Sequence, residues 1–135
     1  MPSAKHSYRT LFLSLADQQK LPAVFHCTTG KDRTGWAAAA LLLLLDVPKE
    51  TVMEDFLASN KYTLPQFQHA IDGFVAGGGD RDIPVAIFGV KKEYLEASFD
   101  EMEERYGTIE NYFADGLGID AKGQQVLRDL FIKSK

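Results

Sequence analysis

Residues 36–45 read WAAAALLLLL, ten apolar residues without a break. Alanine and leucine are strong helix formers. A helix that is apolar on every side has no face to offer water, so it must be buried. The run is also too short for a membrane span, which needs about 20 residues. It therefore predicts a central helix, over residues 33–46, around which the rest of the chain must pack. With 135 residues, the chain has at most one domain's worth of material. Its 45% hydrophobic and 11% aromatic content is enough to wrap such a helix.

The flanking pattern supplies the wrapping. Tyr8, Leu11, Phe12 and Leu15 recur at helical spacing and predict an amphipathic helix over 5–19, ended at Leu21-Pro22. Residues 23–27 (AVFHC) predict a short buried strand, and the small polar residues 28–32 a loop. Pro48 stands where a helix over 49–59 would start, and Pro65 stands ahead of another over 67–75. Gly77, Gly78 and Gly79 form a linker. Residues 83–90 are apolar without a clear period. A helix over 91–106 would bury Tyr94, Leu95, Phe99 and Met102 and close at Gly107. A short helix over 108–117 stops at Gly118. Asp120 caps a last helix through 132, with Val126, Leu127, Leu130 and Phe131 inward. One strand among six or seven helices cannot satisfy its own backbone. The expected class is thus α/β and helix-rich, and either further strands hide in the sequence or a fuller protein supplies them.

Fifteen basic and nineteen acidic residues give a net charge of −4. This argues against a nucleic-acid binder, whose surface must answer a phosphate backbone, but leaves room for a small local anion site. A single cysteine, Cys27, excludes an internal disulfide framework and a Cys-rich zinc site. It suits a reducing cytoplasm, with a secreted effector left open. The first ten residues hold no signal-peptide hydrophobic stretch. His6 and His69 have no partners at metal-ligand spacing and read as surface residues, so no metal or cofactor is expected. Asp100, Glu101, Glu103 and Glu104 read as a solvated helix face, and Asn60, Lys61 and Tyr62 as a border of the site described next.

That site is the segment His26-Cys27-Thr28-Thr29-Gly30-Lys31-Asp32-Arg33-Thr34-Gly35. It leaves the expected strand, turns, and enters the central helix. In that geometry the loop and first-turn N–H groups converge on one spot at the positive end of the helix dipole, which makes an anion site. Cys27 sits at its rim. A free thiol has a pKa of about 8.5, and a helix N-terminus with a nearby Arg lowers it toward the nucleophilic thiolate. Arg33 can clamp two phosphate oxygens with its planar fork. Thr28, Thr29, Gly30, Lys31 and Asp32 would supply the rest of the phosphate cradle, and Thr34 a hydrogen bond to the sulfur. His26 would hold the loop by bonding backbone carbonyls. Each residue also has a plainer reading: Cys27 as a small core hydrophobe, Lys31 as a solvated charge, Asp32 as a loop-stabilising acceptor. A nucleotide-binding P-loop fails, since that pattern needs Gly at 25 and Ser or Thr at 32, where Phe25 and Asp32 stand.

The pattern H-C-x-x-G-x-x-R-[ST]-G resembles the phosphate-binding loop of the cysteine-dependent protein tyrosine phosphatase superfamily. The fuller H-C-x-x-G-K-D-R-T-G is similar to its bacterial and fungal branch, which includes dual-specificity and lipid phosphatases. Val90 with Glu93-Tyr94-Leu95, then Tyr106-Gly107-Thr108-Ile109-Glu110-Asn111-Tyr112 and Leu117-Gly118-Ile119, extend the likeness over about residues 8–132. The resemblance implies a central, mostly parallel sheet and a strand-loop-helix phosphate site. It implies a cysteinyl-phosphate intermediate on Cys27, transition-state stabilisation by Arg33, and no metal. The implied substrate is a phosphorylated protein or a phosphoinositide. Many members carry the leaving-group acid on a loop upstream of the cysteine. Here the only upstream acid is Asp17, inside an expected helix, which leaves Asp32 as the local candidate. The resemblance further implies that residues 1–135 are the C-terminal portion of such a domain, which would self-associate or pair with an N-terminal portion. The rival expectation is a non-catalytic phosphate-binding module or an inactive fragment.

Overall fold

The computed structural model describes residues 2–21 and 33–132. The expected strand over 23–27 and loop over 28–32 lie outside them, and among the described residues there is no strand. The central sheet therefore stays an expectation, while the helix-rich character is observed.

Helix α1 (Pro2–Leu15) is followed by a single 3-10 turn (Gln18–Lys20). It is one turn shorter at its C-terminal end than the apolar spacing suggested. Helix α2 (Arg33–Leu44) is the predicted central helix, with Ala37, Ala39, Ala40 and Leu44 buried. It stops two residues early, at a Schellman motif. Asp46 takes φ +65°, its N–H donates to the Leu43 carbonyl, and the Val47 N–H donates to the Leu42 carbonyl, both at 3.0 Å. Arg128 adds a hydrogen bond from Nε to the Leu44 carbonyl at 3.0 Å. The negative end of α2 is thereby met by a cation from the last helix.

Helix α3 (Lys49–Leu57) begins after Pro48 as expected. Helix α4 (Ser59–Gln66) was not foreseen and contains Pro65 in its last turn. A proline there forfeits one backbone bond and ends the helix rather than opening the next. Helix α5 (Gln68–Ala76), the glycine turn at 77–79 and helix α6 (Asp82–Phe88) form a hairpin beside α4. The unassigned apolar stretch is thus mostly helical. Asn60 pins α4 to the end of this hairpin, since its side chain accepts from the Val90 N–H at 2.7 Å and donates to the Val90 carbonyl at 2.9 Å.

Helix α7 (Lys92–Tyr106) buries Leu95, Phe99 and Met102, but Tyr94 turns outward and donates its hydroxyl proton to the Ala86 carbonyl. Gly107 closes α7 at φ +83°, a conformation that side-chain-bearing residues resist. Helix α8 (Ile109–Asn111) is capped by the Thr108 hydroxyl and runs into a π-helical turn (Tyr112–Gly116). Helix α9 (Ala121–Phe131) is capped by Asp120, whose carboxylate accepts from the Gly123 N–H at 2.9 Å.

Two apolar clusters flank α2. One joins α1, α2, α9 and the 109–119 segment through Phe12, Leu44, Phe113 and Leu127. The other joins α2, α3 and α7 through Ala39, Val52, Phe56, Leu95 and Phe99. Trp36 and Leu43 pack against both. Among the described residues, no helix is long and apolar enough to cross a membrane.

Candidate active site

The motif reaches the described structure at its last three residues. Arg33 is the first residue of α2, Thr34 and Gly35 follow, and His26, Cys27, Thr28, Thr29, Gly30, Lys31 and Asp32 lie outside the described residues. A helix begins where the sequence required one, at the point where first-turn N–H groups have no carbonyl one turn back.

Packing holds that first turn in place. An ideal Cβ on Gly35 would stand 3.1 Å from Cε2 of Phe56, a buried ring of α3. The glycine thus lets α3 lie directly against the start of α2. On the opposite side, Trp36 donates its indole N–H to the Tyr112 hydroxyl at 3.1 Å and meets that ring edge-on at 5.6 Å. Tyr106 and Phe113 also pack edge-on against Tyr112. Burial pushes the Tyr112 phenol above its ordinary pKa. The Trp36 hydrogen bond opposes that rise, and the neighbouring Tyr8 and Tyr106 add to it. Trp36 therefore belongs to the core, as the sequence suggested, and also fastens the motif's helix to the π-helical turn through Tyr112 and to α7 through Phe99.

Two cavities open beside this turn. One, of about 360 Å³, is lined by Arg33 and Trp36 together with Lys5 of α1 and Arg105 and Tyr106 of α7. The other, of about 240 Å³, lies toward α3 and α4 and is lined by Thr34, Gly35, Asp55 and Tyr62, among others. Tyr62 borders the motif as expected, whereas Asn60 ties α4 to Val90, between α6 and α7, instead. Lys5, Asp55 and Arg105 join these cavities only through the fold. They come from helices distant in sequence, and no local pattern marks them. Glu101 and Glu103 lie on an exposed helix face, as foreseen, where they pair with Arg105 and Lys49.

A sequence profile of the tyrosine phosphatase family matches residues 1–133. The chain belongs to that family. One tyrosine phosphatase relative is a Cupriavidus necator protein whose name places it among the tyrosine-protein phosphatases. It is 34% identical, over 72% of this chain and 36% of that protein. Another is the triple specificity protein phosphatase of Mycobacterium tuberculosis, 28% identical over 70% of this chain and 38% of that protein. A tyrosine-protein phosphatase of Nostoc commune is 42% identical over a shorter stretch, 41% of this chain. The matched region spans little more than a third of the length of the first two phosphatases.

Proposed function

We propose that the chain carries the nucleophile and phosphate-binding loop of a cysteine-dependent phosphomonoester hydrolase. The observation that carries this reading is the run HCTTGKDRTG at 26–35, which enters the central helix at Arg33 in a chain of the tyrosine phosphatase family. Phosphotyrosine is the leading substrate class. Phosphoserine, phosphothreonine and phosphoinositides come next, and the name of the M. tuberculosis relative supports keeping more than one ester class in view.

In this reading the Cys27 thiolate attacks phosphorus. A phosphorus–sulfur bond forms as the ester bond to the leaving oxygen breaks. Asp32 gives that oxygen its proton. Arg33 and the loop N–H groups hold the equatorial oxygens, where negative charge concentrates in the transition state. Thr34 stabilises the sulfur anion, and His26 and Gly30 keep the loop in shape. Thr28, Thr29 and Lys31 complete the cradle. Water then attacks phosphorus and gives a proton to the Asp32 carboxylate as the phosphorus–sulfur bond breaks, which returns the thiolate, restores the acid and releases inorganic phosphate.

The test is turnover of nitrophenyl phosphate by this chain and by Cys27→Ser. The electron-withdrawing nitro group gives this ester a good leaving group that needs little acid assistance, so weak proton donation cannot hide cysteine chemistry. Turnover by the native chain and its loss in Cys27→Ser are expected. Turnover unchanged by the substitution would overturn the mechanism. Vanadate binding without turnover would instead establish a phosphate-binding module.

A further inference from the structure

Trp36 lies one helical turn past Arg33, and both side chains line the cavity at the start of α2 together with Tyr112. Apolar packing holds the indole without setting its direction; Phe99 of α7, for example, stands 6.2 Å away, tilted by 58°. The indole N–H is different, since it donates to the Tyr112 hydroxyl at 3.1 Å. Among the described residues this is the indole's one hydrogen bond. A hydrogen bond has a preferred angle, so it fixes the rotation of the ring as well as its depth. Tyr112 is itself firmly held. It is buried, and Tyr106 and Phe113 meet its ring edge-on at 5.5 and 5.9 Å. It opens the π-helical turn, in which the Leu117 N–H donates to the Tyr112 carbonyl at 3.1 Å. Such turns are rare and recur at functional sites. Gly116, inside the turn, makes room for Tyr106, because an ideal Cβ there would stand 3.0 Å from the Tyr106 Cζ. Packing around Trp36 needs no hydroxyl at 112; a phenylalanine would fill the same space.

We propose that Tyr112 is a positioning residue for Arg33. Its hydroxyl fixes Trp36, and Trp36 fixes the first turn of α2, which carries Arg33 to the phosphate. This rests on the phosphatase reading above and adds to it a residue 76 positions from Trp36 that touches neither substrate nor sulfur. A planar fork demands more of its backbone than a point charge does, since two N–H groups must meet two oxygens at once. A small shift of the first turn therefore weakens the grip on the transition state even where the fold survives.

Vanadate, which adopts the five-coordinate geometry of the transition state, should be titrated calorimetrically into the native chain, Tyr112→Phe and Asp120→Ala. Turnover of nitrophenyl phosphate is measured on the same samples, below the onset of unfolding. Asp120→Ala removes the α9 cap and its bond to Gly123, at a stability loss comparable to that of Tyr112→Phe. Tyr112→Phe is expected to bind vanadate about tenfold more weakly and to lose kcat by a similar factor with little change in KM. Asp120→Ala should keep the native values. In Trp36→Phe, which lacks the donor, the further change Tyr112→Phe should have no effect on vanadate binding. Should Trp36→Phe fail to fold, the comparison of Tyr112→Phe with Asp120→Ala decides. Native vanadate affinity and kcat in Tyr112→Phe, or an effect undiminished in Trp36→Phe, would overturn the positioning role and leave the phosphatase reading intact. The expected vanadate losses without turnover in the native chain would uphold the positioning role and defeat only the catalytic reading. Absence of vanadate binding by the native chain would overturn both.

Discussion

At the scale of single residues, the first turn of α2 is held by one absence and one hydrogen bond. The absence is the Gly35 side chain, which would meet Phe56. The hydrogen bond joins Trp36 to Tyr112. Tyr112→Phe keeps the ring packing and removes the acceptor, so a loss of about 1 kcal/mol in urea unfolding is expected. The pH dependence has a definite sign. Burial raises the Tyr112 phenol in the folded state. As pH climbs past the ordinary tyrosine range, the unfolded chain therefore ionises first and is favoured. Stability from this group is complete below about pH 10 and declines above it. The urea midpoint should fall less between pH 9 and pH 11 in Tyr112→Phe than in the native chain. An equal or larger fall would show that Tyr112 is not shifted upward.

At the scale of elements, the informative places are helix ends. Asp120 and Gly107 were legible in the sequence because a cap is local: the Asp120 carboxylate answers the N–H three residues on, and Gly107 takes the positive φ that ends α7. The end of α2 was not legible, since Asp46 occupies a left-handed position that sequences usually mark with glycine. Asp46→Gly relieves that conformation and keeps both Schellman bonds. It should raise stability by about 0.5–1 kcal/mol, seen as a higher urea midpoint with an unchanged slope. Helix α9 shows a different limit. Apolar spacing put Val126 and Phe131 inside, yet both are 38% exposed. Buried Gln124 shares the inner stripe with Leu127, because its amide reaches the Glu110 and Ile119 carbonyls at 3.0 Å each. A reading that counts only apolar residues cannot foresee a glutamine recruited inward.

At the scale of the molecule, α2 is the wall shared by two apolar clusters, so neither half of the core can open without exposing it. Phe113→Ala on one side and Phe56→Ala on the other should each cost about 3–5 kcal/mol. Both should shift one common calorimetric transition rather than split it in two. Separate transitions would mean the clusters melt independently. The central helix was legible because ten consecutive apolar residues permit no other placement. The family was legible because the motif at 26–35 combines residues that rarely meet by chance. The cavity partners of Arg33 were not. Lys5 and Arg105 are far from it in sequence, and only the packing of α1 and α7 against the start of α2 brings them together.

Trp36 is the chain's single tryptophan, it lies three residues past Arg33, and it touches both clusters and the cavity beside Arg33. The protein thus carries one built-in fluorophore at the junction of its core and the cavity beside Arg33. Its emission will respond to loosening of either cluster and to filling of the cavity, so folding and ligand occupancy can be followed optically without attaching a label.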